Sequence, residues 1–252
     1  MKIDLTGTTA LVTGSSRGIG RAIAEALGKA GAAVAVHCRE RASQAAELSD
    51  QLGNDSAVFT ADLQDPMQAV SLFRQVLDKY GRVDLLVNNA GIFEHSPLVK
   101  ETPEWIADWE RTIAVNLTGA GILCREAINH FIPAGGGRII NIASRAAFRG
   151  ETADHLHYAA SKGGLVSLSR SIARSFGNHN IKCFTIAPGF VRTEMIDHHL
   201  QGKGEEEILN ELALSRLTTP GDIAPVAVLI AGGGMDHATG TTIDINGGSY
   251  MH

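Results

Sequence analysis

The sequence predicts an α/β fold, a doubly wound parallel sheet of seven strands with helices on both faces. Three observations predict it. Short runs rich in β-branched residues recur along the chain and are apolar on both faces, as strands covered on each side are. Longer stretches between them carry apolar residues three and four apart, the spacing of an amphipathic helix. A chain of 252 residues, 44% of them hydrophobic, is long enough to bury one large core.

In chain order, the strand candidates are TALVT (9–13), AVAVH (33–37), AVFTA (57–61), VDLLVN (83–88), GRIINIA (137–143), IKCFTIA (181–187) and TTIDIN (241–246). RAIAEALGKA (21–30) follows the first strand with helical periodicity, and PMQAVSLFRQVLDKYG (66–81) follows the third. Proline at the start of the latter and glycine at its end mark a helix from both sides. Strand and helix alternating in this way build βαβ units with right-handed crossovers. No linker, repeat or low-complexity tract interrupts the pattern, so residues 1–252 are expected to form a single domain. The least regular stretch, 190–215, is polar and follows Pro188-Gly189, and it is expected to be a substrate lid beyond the strand ends.

Composition removes several function classes. A net charge of −5, spread without blocks, lacks the basic footprint of a nucleic-acid or membrane-surface binder. Cys38, Cys124 and Cys183 are far apart and make no CxxC, so they are expected to be buried thiols in a reducing compartment. The first residues carry no long apolar core of a secretory signal, and no run approaches a membrane span. A cytoplasmic protein is expected. His155 with His157, and His198 with His199, lack the i,i+4 spacing of helical metal ligands, so no catalytic metal is expected. The first pair, just before Tyr158, is placed for contact with substrate.

TGSSRGIG (13–20) stands between the first strand and the first helix. Glycines at 14, 18 and 20 permit a tight turn, and the helix start presents N–H groups and the positive dipole end to an anion. Among 28 glycines such a triplet says little by itself; between a strand and a helix it points to a pyrophosphate.

Four further motifs follow in register: NNAG at 88–91, Ser144 after the fifth strand, YxxxK at 158–162 and PG at 188–189. In this order and spacing the chain resembles the short-chain dehydrogenase/reductase family from about residue 5 to the closing INGGSY. The likeness extends to 3-oxoacyl-carrier-protein reductases and to sugar and polyol dehydrogenases. It implies a Rossmann-type fold and a nicotinamide cofactor. It further implies that Gly14, Gly18, Ile19 and Gly20 surround the pyrophosphate, that Ser16 and Arg17 of the same turn also bind the cofactor, and that Asp62 and Leu63 hold the adenine. Asn88, Asn89, Ala90 and Gly91 would line the groove and stabilise the central sheet. Pro188, Gly189, Val191 and Thr193 would meet the nicotinamide end, with Tyr158 and Lys162 beside them.

Tyr158 and Lys162 lie one helical turn apart, so both face one side of the helix. A free phenol has a pKa of about 10, and bringing it near 7 takes about 4 kcal/mol of phenolate stabilisation. A partly desolvated ammonium nearby is expected to supply much of that, and a positively charged nicotinamide the rest. Ser144 is expected to stabilise charge growing on a substrate oxygen. Asn116 is intrinsically disfavoured inside a helix, and it matches the family asparagine that anchors a water connecting the lysine to solvent.

The expected activity is interconversion of a carbonyl and a secondary alcohol by hydride transfer, with Tyr158 as acid or base. NADP(H) is the expected cofactor and NAD(H) the alternative. The position where NAD-selective relatives carry a carboxylate falls on Cys38, with Arg39 next to it and Arg17 aimed at the same corner. The resemblance also implies a homotetramer. Helices with small and apolar outer positions, here LTGAGIL and KGGLVSL, would pair across one interface, and the C-terminal strand with INGGSYMH would support the other. A rival reading is a catalytically silent nucleotide-binding regulator, which would typically have lost one of Ser144, Tyr158 or Lys162. An NAD-dependent sugar or polyol dehydrogenase is another. An epimerase or dehydratase would carry a different glycine pattern and a longer chain. A 3-oxoacyl carrier-protein substrate is mildly disfavoured because INHFIPAGGG (128–137) offers no lysine or arginine to an acidic partner.

Overall fold

The structure, a computed structural model, describes residues 3–193 and 205–252. Its strands are β1 (Thr9–Val12), β2 (Ala33–Cys38), β3 (Ala57–Thr60), β4 (Leu85–Asn88), β5 (Gly137–Ile142), β6 (Ile181–Pro188) and β7 (Thr242–Ile245). They form one sheet in the order β3-β2-β1-β4-β5-β6-β7, and every neighbouring pair runs parallel. The strand candidates thus all appear, five with ends trimmed by a residue or two and β2 and β6 longer by one. β4 starts at Leu85 because the Val83 N–H turns to the His130 ring.

The helices are α1 (Gly18–Lys29), α2 (Ala42–Leu52), α3 (Pro66–Tyr80), α4 (Thr102–Ile113), α5 (Gly119–Ala134), α6 (Ala146–Arg149), α7 (Leu156–Phe176), α8 (Glu205–Leu209) and α9 (Pro220–Ala231). α3 keeps its expected ends. Asp65 caps it through the N–H groups of Met67 and Gln68, Pro66 opens it, and Gly81 leaves it at φ 70°.

Alternation along the strands divides the core between the two faces of the sheet. Val12, Val34, Val36, Ile140 and Ile186 point to one face, against Ile23 and Leu27 of α1 and Ile223 and Ile230 of α9. Leu11, Ala35, Leu86, Ile139 and Cys183 point to the other, against Phe73 of α3 and Leu123 and Phe131 of α5. The three cysteines are free and buried. Among the described residues no helix is long and apolar enough to cross a membrane.

Of the expected lid, 190–193 and 205–215 are described. Residues 194–204, with His198 and His199, lie outside the described residues. The far end of that stretch is tied to the C-terminal tail, where the N–H groups of Ala213 and Leu214 both reach the Gly247 carbonyl.

One polar chain crosses the core beneath the carboxyl edge of the sheet. Asn88 and Asn141 are register partners on β4 and β5, and Asn88 Nδ2 donates to Asn141 Oδ1 at 2.8 Å. Asn141 Nδ2 donates in turn to Ser169 Oγ on α7 at 2.8 Å, and Ser169 Oγ donates to the Leu165 carbonyl. Asn88 Nδ2 also reaches Cys124 Sγ on α5. All four side chains are buried, so each bond lost leaves an unpaired group in a medium that punishes it. Asn141→Ala should cost about 2–3 kcal/mol in chemical denaturation, because it strands donors and acceptors on both sides. A cost below about 0.5 kcal/mol would show that the chain is not coupled.

Candidate active site

The carboxyl ends of the strands open into one long groove. Its floor is built at the meeting of β1 and β4. Thr13 Oγ1 accepts from the N–H groups of Asn89 (2.9 Å) and Ala90 (3.0 Å). The Asn89 amide returns two bonds, to the carbonyls of Thr13 (2.8 Å) and Gly14 (3.1 Å).

Two glycines of the β1–α1 turn answer directly to this closeness. Gly14 has φ 62°, and a Cβ there would stand 2.9 Å from Ala90 Cα. A Cβ on Gly20 would stand 2.5 Å from the Gly14 carbonyl oxygen. The result is a turn pressed against its neighbouring strand. α1 then begins with no side-chain cap and no acidic residue in its first turn, which leaves its N–H groups and dipole end to an outside anion.

Ser16, Arg17, Gly18, Ile19, Asp62, Leu63, Ala90, Gly91, Val191 and Thr193 line the groove beside Gly14 and Asn89. Gly20 lies behind it and sets the packing. Asn88 is a correction: strand alternation turns its side chain into the core, and Asn89 alone of the pair faces the groove. At the end of β2, Cys38 is buried and the corner is lined by Arg39, Glu40 and Arg41. Arg39 is half-exposed and pairs with Glu40 at 2.8 Å.

His37, the last residue but one of β2, is not among the residues that the sequence motifs mark and belongs to the same groove. Its buried ring bridges the glycine turn and the end of β3. The Gly14 N–H donates to Nδ1 at 3.1 Å, and Nε2 stands 3.1 Å from the Ala61 carbonyl. A histidine inside an otherwise apolar two-faced strand was the signal available.

At the other end of the groove stand Ser144, Tyr158, Lys162, Pro188 and Gly189. Ser144 follows β5, and its Oγ accepts from the Ala146 N–H. Tyr158 and Lys162 share a face of α7, as their spacing predicts. Lys162 is buried and donates to the Ile142 carbonyl at 2.9 Å, and burial lowers its pKa to about 8. Its Nζ lies 5.7 Å from the centre of the Tyr158 ring.

Burial pushes the Tyr158 phenol up to about 12, the hydrogen bond with Ser144 draws it down and the Glu151 charge adds to the rise. Burial is thus the largest influence on the phenol, and Lys162 gives one of its three donors to the Ile142 carbonyl.

Asn116 sits in a wide π turn, Ala114–Thr118, between α4 and α5. Its amide is committed on both sides. Oδ1 accepts from the Ile92 N–H, and Nδ2 donates to the Ile92 carbonyl and to Ser161 Oγ. The side chain thus braces the loop after Gly91, next to Lys162.

The histidines near Tyr158 divide. His155 stacks on Phe93 (4.1 Å between ring centres), and Phe93 stands edge-on to Tyr158 at 4.7 Å. His157 is buried away from the groove and held by the Glu94 backbone. Among the described residues no cluster of three or more histidine, cysteine, aspartate or glutamate side chains is assembled.

The short-chain dehydrogenase pattern matches residues 8–203. A 3-oxoacyl-acyl-carrier-protein reductase from Vibrio cholerae is 34% identical over 99% of this chain and 100% of its own. A nodulation protein G from Rhizobium sp. (strain N33) is 36% identical over 98% of this chain and 99% of its own. A solved dehydrogenase/reductase from Sinorhizobium meliloti superposes with a TM-score of 0.90 at 33% identity, covering 99% of this chain and 98% of that one. With the groove, the Rossmann-type sheet and these likenesses together, the chain belongs to the short-chain dehydrogenase/reductase family and is an NAD(P)-dependent oxidoreductase.

Proposed function

We propose that Ser144, Tyr158 and Lys162 carry the proton side of an interconversion between a carbonyl and a secondary alcohol, with NADP(H) as the preferred cofactor. The observation that carries this reading is that the uncapped start of α1 and the Ser144–Tyr158–Lys162 group open into the same groove. The residues present fit a dinucleotide: N–H groups without a competing carboxylate at α1, and a turn that packs tightly on Ala90 because Gly14 has no Cβ. Gly14 to Ile19 would hold the pyrophosphate, Asp62 and Leu63 the adenine, and Pro188, Gly189, Val191 and Thr193 the nicotinamide. When bound, the nicotinamide supplies or takes the hydride.

The chain's own residues handle the charge and the proton. Ser144 donates to the substrate oxygen as negative charge grows on it. Tyr158, with its pKa pushed up to about 12, stays protonated at neutral pH and is ready to give its proton to that oxygen. Lys162 holds a positive charge beside the phenol, and Asn116 fixes the loop against which that ammonium rests. Phe93, stacked between His155 and Tyr158, forms an aromatic wall of the reacting end. Tyr158→Phe keeps the ring and removes the proton, so turnover should fall by about 10²-fold or more. Fluorescence titration of the cofactor should change by less than about threefold in that variant, since the phenol contributes little to dinucleotide binding. Turnover near wild type would defeat the assignment.

The preference for NADP(H) rests on the corner at the end of β2. Cys38 places no negative charge there, and Arg17, Arg39 and Arg41 line the same part of the groove. A 2′-phosphate competes with Glu40 for Arg39 and offers more acceptor oxygens. Arg39→Ala should lower the ratio of kcat/KM for NADPH over NADH by about tenfold, the worth of one charge-assisted contact. An unchanged ratio, or a wild type that favours NADH, would overturn the preference.

A homotetramer is part of the proposal, because small residues mark outer positions of both α5 and α7. A Cβ on Gly163 would meet nothing nearer than 3.8 Å, and one on Gly121 nothing nearer than 3.9 Å, which leaves room for a neighbouring helix to approach. Sedimentation at micromolar concentration should show a species of four chains. A single chain there would contradict it.

A further inference from the structure

His37 makes more directed contacts than its place in a buried strand requires. Its backbone N–H donates to Ser15 Oγ (3.0 Å), and its carbonyl accepts from the Ser15 N–H (2.9 Å). The ring continues the same join. Nδ1 accepts from the Gly14 N–H, so Nδ1 carries no proton, and in the neutral ring the proton must sit on Nε2. Nε2 faces the Ala61 carbonyl, an acceptor that wants it. One side chain therefore spans from the turn that meets the pyrophosphate to the residue before Asp62, at the adenine end. Cys38 and Arg39 follow it directly in the chain.

We propose that His37 is the positioning residue of the dinucleotide groove: its Nε2–H tautomer locks the Gly14–Ser15 turn to Ala61 and fixes the spacing between the pyrophosphate and adenine ends. The proposal rests on the reading that the groove binds a nicotinamide dinucleotide. It goes further by assigning the groove's shape to a residue outside the glycine motif.

The ring's surroundings agree. The β1–α1 turn meets the ring through the Gly14 N–H, while Cys38, next on β2, turns its thiol to the opposite face of the sheet. From the end of β3 the Asp62 carboxylate favours protonation, yet burial dominates and holds the pKa down at about 4. The free imidazole value is 6.5, so the ring stays neutral through the range in which an exposed histidine would charge.

Two measurements on the full chain test this. Long-range nitrogen–proton correlation NMR reads the tautomer without any cofactor. It should report Nε2–H for His37, with no titration between pH 6 and 7, near the ordinary imidazole value of about 6.5. An Nδ1–H signal, or ordinary titration, would overturn the proposal.

Equilibrium binding of NADPH and of NADH, followed by cofactor fluorescence, reads the consequence. His37→Leu fills the space but leaves the Gly14 N–H and the Ala61 carbonyl unpaired, so both cofactors should bind about tenfold more weakly. His37→Asn restores an acceptor for Gly14 and should return affinity to within about threefold of wild type. Should the leucine variant fail to fold, the asparagine variant and the tautomer still decide. Affinity unchanged in a folded leucine variant, or not recovered by asparagine, would refute the positioning role while leaving the groove's function intact. Wild type binding neither cofactor would instead overturn both.

Discussion

The lock between Thr13 and Asn89 is the contact on which the rest of the site depends. β1 and β4 are neighbours at the point where the chain's crossovers diverge, and such a point opens a crevice at the carboxyl edge of a parallel sheet. A crevice that held water would be of little use to an anion. Here the strand ends are instead drawn together by four hydrogen bonds, until only glycine fits at 14 and 20. That closeness aims the start of α1 along the groove and leaves its first N–H groups for a ligand. The buried Asn88–Asn141–Ser169 chain performs the matching task one layer down, tying β4 and β5 to α7, the helix that carries Tyr158 and Lys162.

Burial sets the electrostatics of the whole groove. The same cause lowers His37 to about 4, lowers Lys162 to about 8 and raises Tyr158 to about 12. Each group leans towards its neutral form, the mark of a region poor in water. In such a medium the charge of a bound cofactor acts strongly on whatever lies beside it. At Tyr158 burial favours the protonated phenol in the same way, against the pull of the Ser144 hydrogen bond.

Much of this was legible in the sequence because it follows from periodicity and motif spacing. Two-faced apolar runs gave all seven strands, and Pro66 with Gly81 gave both ends of α3. The glycine turn, YxxxK and PG fell on one groove, since parallel strands bring their carboxyl ends to one edge. What escaped depends on direction. Adjacent asparagines 88 and 89 point to opposite sides of β4, and the motif alone does not say which faces the cofactor. His37 looked like an interruption in an apolar strand until its two ring nitrogens had partners. Helical spacing placed Lys162 near Tyr158, but it said nothing of the Ile142 carbonyl that accepts its hydrogen bond. The π turn at Asn116 likewise leaves no periodic trace.

The central claim is that one dinucleotide lies along this edge, from Arg39 at one end to Tyr158 at the other. A crystal structure of the chain with NADP⁺ tests it most directly. The account predicts pyrophosphate density at the first N–H groups of α1, the adenosine ribose against Cys38 and Arg39, and the nicotinamide ring between Gly189 and Tyr158. Density that leaves the α1 start empty, or that places the nicotinamide away from Tyr158 and Lys162, would contradict it.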